Sequence, residues 1–192
     1  MVAQPALQHT THVDANVPTI PAGYKQTEVG VIPKDWGVSL LSQTARRIVR
    51  GASPRPIDSP KWFDDKSSIG WVRISDVSRS NNILLTTVQK LSQEGVQRSR
   101  FVSKGSLILS ICATVGKPVI TNLDVCIHDG FVVFESPTLD QNFLFHLLKD
   151  LEPKWALMGQ TGSQMNLNTT LINSTKVALP AVSYTHLRAH ET

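Results

Sequence analysis

From Trp36 onward, apolar and polar positions change over in short bursts, and few stretches hold one period for long. Trp71-Val-Arg-Ile-Ser-Asp76 alternates large and polar groups and predicts a strand. Gly105-Ser-Leu-Ile-Leu-Ser-Ile-Cys112 is an apolar run bounded by turn residues and predicts a buried central strand. Ala113-Thr-Val-Gly116 then turns the chain, and Lys117-Pro-Val-Ile-Thr121 returns it. Val125-Cys-Ile127 and Gly130-Phe-Val-Val-Phe134 predict further strands, broken by His128-Asp-Gly130. A helical period is clearest at Phe143, Leu144, Leu147, Leu148 and Leu151, with Asp140 as N-cap and Pro153 expected to end or kink the helix. A shorter helix is expected over Ser92–Ser99, capped by Ser92. Between Gly51 and Pro60, prolines at 54, 56 and 60 remove backbone donors and fix φ, which leaves an extended loop. A second loop, Gly159–Asn168, precedes a short helical turn and a closing strand, Lys176–Leu179. Strand follows strand, so the fold class is α+β: a single domain with a mixed or antiparallel curved sheet, a few short helices and long loops.

At 192 residues and 41% hydrophobic content, the chain fits one globular domain with a real core. The pattern divides it into a flexible leader over 1–22, the domain proper over 23–182, and a tail over 183–192 that follows no earlier pattern. That tail is expected to mark a truncated gene or a foreign joined sequence, and His186 and His190 carry no functional weight. No apolar run reaches the ~20 residues that span a bilayer. The first residues lack a basic segment followed by an apolar one, so a cytoplasmic location is expected. Cys112 and Cys126 lie fourteen positions apart, no spacing for zinc, and read as reduced, mostly buried thiols.

Charge changes the picture more than composition does. The net charge is +4, but the stretch from Arg46 to Lys117 holds 13 Lys and Arg against 5 Asp and Glu, while the remainder is net acidic. Such a stretch can neutralise phosphates. Phosphate-binding glycine loops, the His-Glu-x-x-His zinc motif and the nucleophile elbow are all missing. Cys126 and His128 are the one close nucleophile–base pair, and Asp129 adjoins them; a small hydrolase or nuclease built on these three is a minor alternative. No metal set or cofactor is expected. The loops carry the more coherent constellation. Arg50, Arg55, Lys61, Arg73, Thr114 and Lys117 offer guanidinium forks, charge and a hydroxyl; Gln160, Ser163, Gln164, Asn166 and Asn168 offer amides and a further hydroxyl. Arginine pairs with guanine or clamps phosphate, and Asn or Gln reads the adenine edge. Asn166-Leu-Asn168 also has a plain structural reading, with the asparagines capping turns and Leu167 plugging into the core. Trp62 reads as an anchor for its Pro-rich loop, and Trp36, Trp71 and Trp155 as core or rim.

Several motifs occur in a particular order. They are Gly23-Tyr-Lys-Gln-Thr-Glu-Val-Gly-Val-Ile-Pro-Lys-Asp-Trp36, Gly51 with Pro54 and Pro56, Trp71–Asp76, Lys104–Ser110 with Ala113–Gly116, Gln164-Met-Asn-Leu-Asn168 and Lys176-Val-Ala-Leu-Pro180. Over Tyr24–Pro180 this series resembles a target recognition domain of a type I restriction–modification specificity subunit. The resemblance implies a non-catalytic reader of double-stranded DNA that takes one half of a bipartite target, with its long loops facing the DNA. It also implies methyltransferase (M) subunits that bind S-adenosylmethionine and methylate adenine, an ATP-dependent restriction (R) subunit, and a second specificity half. A protein-interaction remnant without DNA binding of its own is the other alternative. Under the resemblance, Gln164 and Asn166 are expected to set sequence choice, and Arg55 and Lys117 to hold phosphate.

Overall fold

A computed structural model of the chain describes residues 20–159 and 167–181. The predicted Gln160, Ser163, Gln164 and Asn166, nearly all of the leader and the whole of the tail lie outside the described residues. In chain order the strands are β1 Tyr24–Thr27, β2 Gly30–Pro33, β3 Gly37–Leu40, β4 Ala45–Arg50 and β5 Gly70–Val72, followed by helix α1 Ile74–Arg79. Next come β6 Ile83–Leu84, β7 Gln89–Lys90, α2 Gln93–Gln97, β8 Arg100–Val102, β9 Leu107–Ser110, β10 Pro118–Thr121, β11 Val125–Ile127 and β12 Phe131–Pro137. Helices α3 Gln141–Gly159 and α4 Thr169–Ser174 and strand β13 Lys176–Leu179 complete the order.

Among the described residues the strands fall into four sheets rather than one. A five-stranded sheet runs β4-β12-β9-β10-β6, and a four-stranded sheet runs β7-β5-β11-β8. Two ribbons, β1-β2 and β3-β13, stand apart. Both larger sheets are mixed: β10 is parallel to β6 and β11 to β5, and the other pairs are antiparallel. The α+β class holds.

The period of two explains the layering. On β9 and β12, Leu107, Leu109, Val132 and Phe134 face one core with Leu144, Leu148, Leu151 and Trp155 of α3. The intervening Ile108, Phe131 and Val133 face a second core with Val72, Val125 and Ile127 of the four-stranded sheet. The central sheet is covered on both faces, which is why Leu107–Ser110 reads as a continuous buried run. A third cluster, Trp62, Trp71, Leu91 and Cys126, sits beneath the Pro-rich loop.

The capping expectations hold. Ser92 Oγ accepts the Gly95 N–H at 3.2 Å and starts α2, and Asp140 Oδ1 accepts the Phe143 N–H at 2.9 Å at the head of α3. Two expectations do not. The strand at Trp71 ends at Val72, and Ile74–Arg79 is helical. The buried Asp76 decides this: Oδ2 accepts the Arg73 N–H at 2.9 Å, fixing the helix start, and Oδ1 accepts Arg79 Nη2 at 2.9 Å. Of the end or kink expected at Pro153, the end is not found, because α3 continues to Gly159. Leu151 and Trp155 on either side are buried in the same core, and at about 1.5–3 kcal/mol each their burial offsets the ~3 kcal/mol that an interior proline costs.

Candidate nucleic-acid interface

The Pro-rich loop is pinned at both ends. At its far end Trp62 is buried, and its Nε1 donates to the Pro56 carbonyl at 2.6 Å. Lys61 Nζ lies 4.1 Å from the Trp62 ring centre and 3.3 Å from Glu94 Oε1, which places Lys61 at the α2 edge of the loop. At its near end Gly51 crosses the His128 turn so closely that a Cβ there would lie 2.1 Å from the His128 carbonyl oxygen. The Gly51 N–H donates to Phe131 O at 2.9 Å, and the Ala52 N–H to Ile127 O at 3.1 Å.

This crossing gathers a compact set of groups around Asp129. Arg50 Nε donates to the Asp129 carbonyl at 2.7 Å, Ser53 Oγ to Asp129 Oδ1 at 2.9 Å, and Arg55 Nη2 to Asp129 Oδ2 at 3.3 Å. Burial pushes the Asp129 carboxyl up, but the Ser53 hydroxyl, a backbone N–H, His128 and Arg55 together hold it below its ordinary value. Beside it, His128 Nδ1 accepts the Gly130 N–H at 2.8 Å, which requires the neutral ring to carry its proton on Nε2. Burial lowers the His128 pKa, and the nearby Arg73 charge lowers it further against the opposing pull of Asp129. A hollow of about 160 Å³ opens here, lined by Arg50, Ile111, Cys112, His128, Asp129, Gly130 and Leu167.

Arg50 and Arg55 therefore meet on the His128–Gly130 turn, the Arg73 charge acts on His128, and Leu167, where the described chain resumes after α3, reaches the same hollow. Thr114 and Lys117 form a neighbouring group. Thr114 Oγ1 and Ser78 Oγ share a hydrogen bond at 2.9 Å. Lys117 Nζ donates to Ser78 O at 3.2 Å and Ser80 O at 2.7 Å, so this ammonium is committed to the C-terminal end of α1. Asn168 is the N-cap of α4, its Oδ1 accepting the Leu171 N–H at 2.8 Å, and Leu167 is buried; the plain structural reading of both residues describes the geometry. Lys61 stands apart from the Asp129 group.

Sequence reasoning missed Ser53 and the organising role of Asp129. It weighed Asp129 beside Cys126 and His128, not as an anchor for arginines. Cys126 is wholly buried among tryptophans, and burial pushes its thiol up to about 11, so it stays protonated at neutral pH. Among the described residues no three His, Cys, Asp or Glu side chains cluster to hold a metal ion.

Fold and site together define a mixed-sheet domain with an arginine-bearing loop surface. The model of the family described as type I restriction modification DNA specificity domain matches residues 34–185, and the chain belongs to that family. It is 23% identical over 130 residues to the type I restriction enzyme MjaIX specificity subunit of Methanocaldococcus jannaschii, covering 66% of this chain and 29% of that protein. Its fold matches the crystal structure of the HsdS subunit from Thermoanaerobacter tengcongensis with a TM-score of 0.62 at 16% identity, over 85% of this chain and 37% of that one. A structure described as the basis of complex assembly and conformational transition of the type I R-M system matches with a TM-score of 0.62 at 17% identity, over 80% and 36% of the two chains. The chain thus spans about a third of the length of these relatives.

Proposed function

We propose that this domain reads one half of a bipartite double-stranded DNA target for a type I restriction–modification complex. The observation that carries the reading is membership of the DNA specificity domain family over residues 34–185. The meeting of Arg50 and Arg55 on one turn, beside a hollow that Leu167 also lines, supports it. In this reading the domain is non-catalytic and cytoplasmic. Arg55 and Arg73 supply positive potential toward phosphates, and Gln160, Ser163, Gln164 and Asn166 meet base edges. M subunits methylate adenine, an R subunit cleaves with ATP, and a second specificity half reads the other part of the target. The test is selection of random duplex DNA by the full chain at moderate salt, followed by sequencing. Enrichment of one short motif of ~3–5 base pairs is expected, the span that a few side chains can read in one groove. Salt-sensitive binding without any enriched motif would overturn sequence reading by this domain.

A further inference from the structure

Arginines on this surface are not equivalent. Arg47 gives both Nε and Nη2 to Glu135 Oε2, at 3.1 and 2.8 Å, and Arg79 gives Nη2 to Asp76. Arg55 meets the Asp129 carboxylate through a terminal nitrogen, so its fork is partly occupied and its charge partly cancelled. Arg50 differs in three respects. Its Nε is held at 2.7 Å by a neutral acceptor, the Asp129 carbonyl, which orients the guanidinium without cancelling its charge. No described residue accepts from its two terminal nitrogens. Its backbone belongs to β4, in register with Val132 of β12, and the next two residues are pinned to Phe131 and Ile127. The side chain is exposed at the end of a sheet strand, not on the loop that follows.

A guanidinium with Nε tied back and Nη1 and Nη2 free presents two parallel donors, which match the O6 and N7 acceptors of guanine in the major groove. A lysine or a swinging arginine supplies charge to phosphate but no fixed fork. We propose that Arg50 is a specificity-determining residue that reads a guanine of the half-site, oriented for that purpose by the carbonyl of Asp129. This deepens the DNA-recognition reading and rests on it. Ser53 and Arg55, bonded to the Asp129 side chain, steady the turn that holds the carbonyl, and Gly130 lets it close, because a Cβ there would lie 2.4 Å from His128 Cε1 and 2.5 Å from Cys112 Sγ.

The experiment compares the full-length protein with its Arg50→Lys variant. The wild-type motif is first obtained by selection, and affinities are then measured for every single-base-pair change, with thermal melts as a check on folding. At one G·C position the wild type should discriminate by about 5- to 150-fold, the range for a bidentate pair. Arg50→Lys should lose that preference, keep the others and keep the salt dependence, since the charge is retained. A DNA-side measurement does not depend on how the variant folds: 7-deazaguanine at that position removes N7, and should weaken the wild type while leaving Arg50→Lys unaffected. Unchanged preferences in Arg50→Lys, an equal loss at all positions, or wild-type indifference to 7-deazaguanine would each overturn the proposal. A selected motif without guanine on either strand would overturn it while leaving DNA recognition standing. Absence of any motif would overturn both.

Discussion

Gly51→Ala tests whether the interface depends on the close crossing of β4 over the His128 turn. A Cβ at Gly51 would lie 2.1 Å from the His128 carbonyl oxygen and 2.6 Å from that of Ile127, and both obstacles are backbone. Relief requires the two segments to separate by about 1 Å, an overpacking change that costs about 1–3 kcal/mol in a filled interior. Separation also stretches the bonds from Gly51 N–H to Phe131 O and from Ala52 N–H to Ile127 O, each worth about 0.5–1.5 kcal/mol. The combined loss is about 2–6 kcal/mol. At about 2–4 °C per kcal/mol for a chain of this size, the melting temperature should fall by roughly 4–24 °C. Gly37→Ala is the matched control, because a Cβ there meets nothing within 4 Å and the backbone is not left-handed; it should stay within about 0.5 kcal/mol of the wild type. The assay is thermal unfolding followed by circular dichroism at one pH and ionic strength. If Gly51→Ala melts within a degree of Gly37→Ala, the crossing is not tight and the rigidity argued for Arg50 fails with it.

Lys117→Ala should cost about 1–2 kcal/mol by removing a partly buried cation from the end of α1, visible as a lower urea midpoint; a reduced salt slope of DNA binding with unchanged stability would instead place this lysine on phosphate. Acidification should weaken the fold through His128: burial and then Arg73 lower its pKa, so the unfolded chain takes up the proton first, and the stability present above pH ~6.5 is lost as pH falls through the folded value. Urea midpoints measured from pH 7.5 to 5 should drop in the wild type and drop less in His128→Asn, and a difference of zero between the two profiles would refute the assignment.

Features that depend on neighbours in sequence were legible before the structure. Ser92 and Asp140 announce their helices because a cap needs only a side-chain oxygen and an N–H three residues on. The run at Leu107 announces a central strand because burial on both faces leaves no polar side. Features that depend on distant partners were not. Trp71–Asp76 alternates like a strand, but the Asp76 carboxylate is committed to Arg73 and Arg79, so the chain coils after Val72. Proline is a reliable helix breaker only where no core compensates, and Trp155 supplies that core beyond Pro153. The Asp129 group lay furthest from view: Arg50, Ser53 and Arg55 are 79, 76 and 74 residues from it, and nothing local to Asp129 marks it as their anchor.

The basic stretch pointed to nucleic acid in the sequence, but a count of charges along the chain overstates the positive potential that the folded surface presents. Arg47 and Arg55 are paired with Glu135 and Asp129, both from the acidic remainder of the sequence, so part of the local excess is cancelled across space. Lys61 and Arg79 are paired within the stretch, and Lys117 is turned toward α1. The exposed pairs of Arg47, Arg55 and Lys61 contribute only about 0–1 kcal/mol each to stability, which is too little to explain them as stabilising devices. Their better-supported effect is geometric. Arg55, with Ser53, braces the turn whose carbonyl holds Arg50, and the other pairs fix long, flexible side chains elsewhere. Affinity for phosphate rises with every free cation, whereas discrimination between bases rises with how few orientations a fork can adopt. Among the described residues Arg47, Arg55 and Arg79 are held by carboxylates, whereas Arg50 is oriented by a neutral carbonyl with no described acceptor on its terminal nitrogens, an arrangement that favours discrimination over affinity in the proposed DNA-reading role.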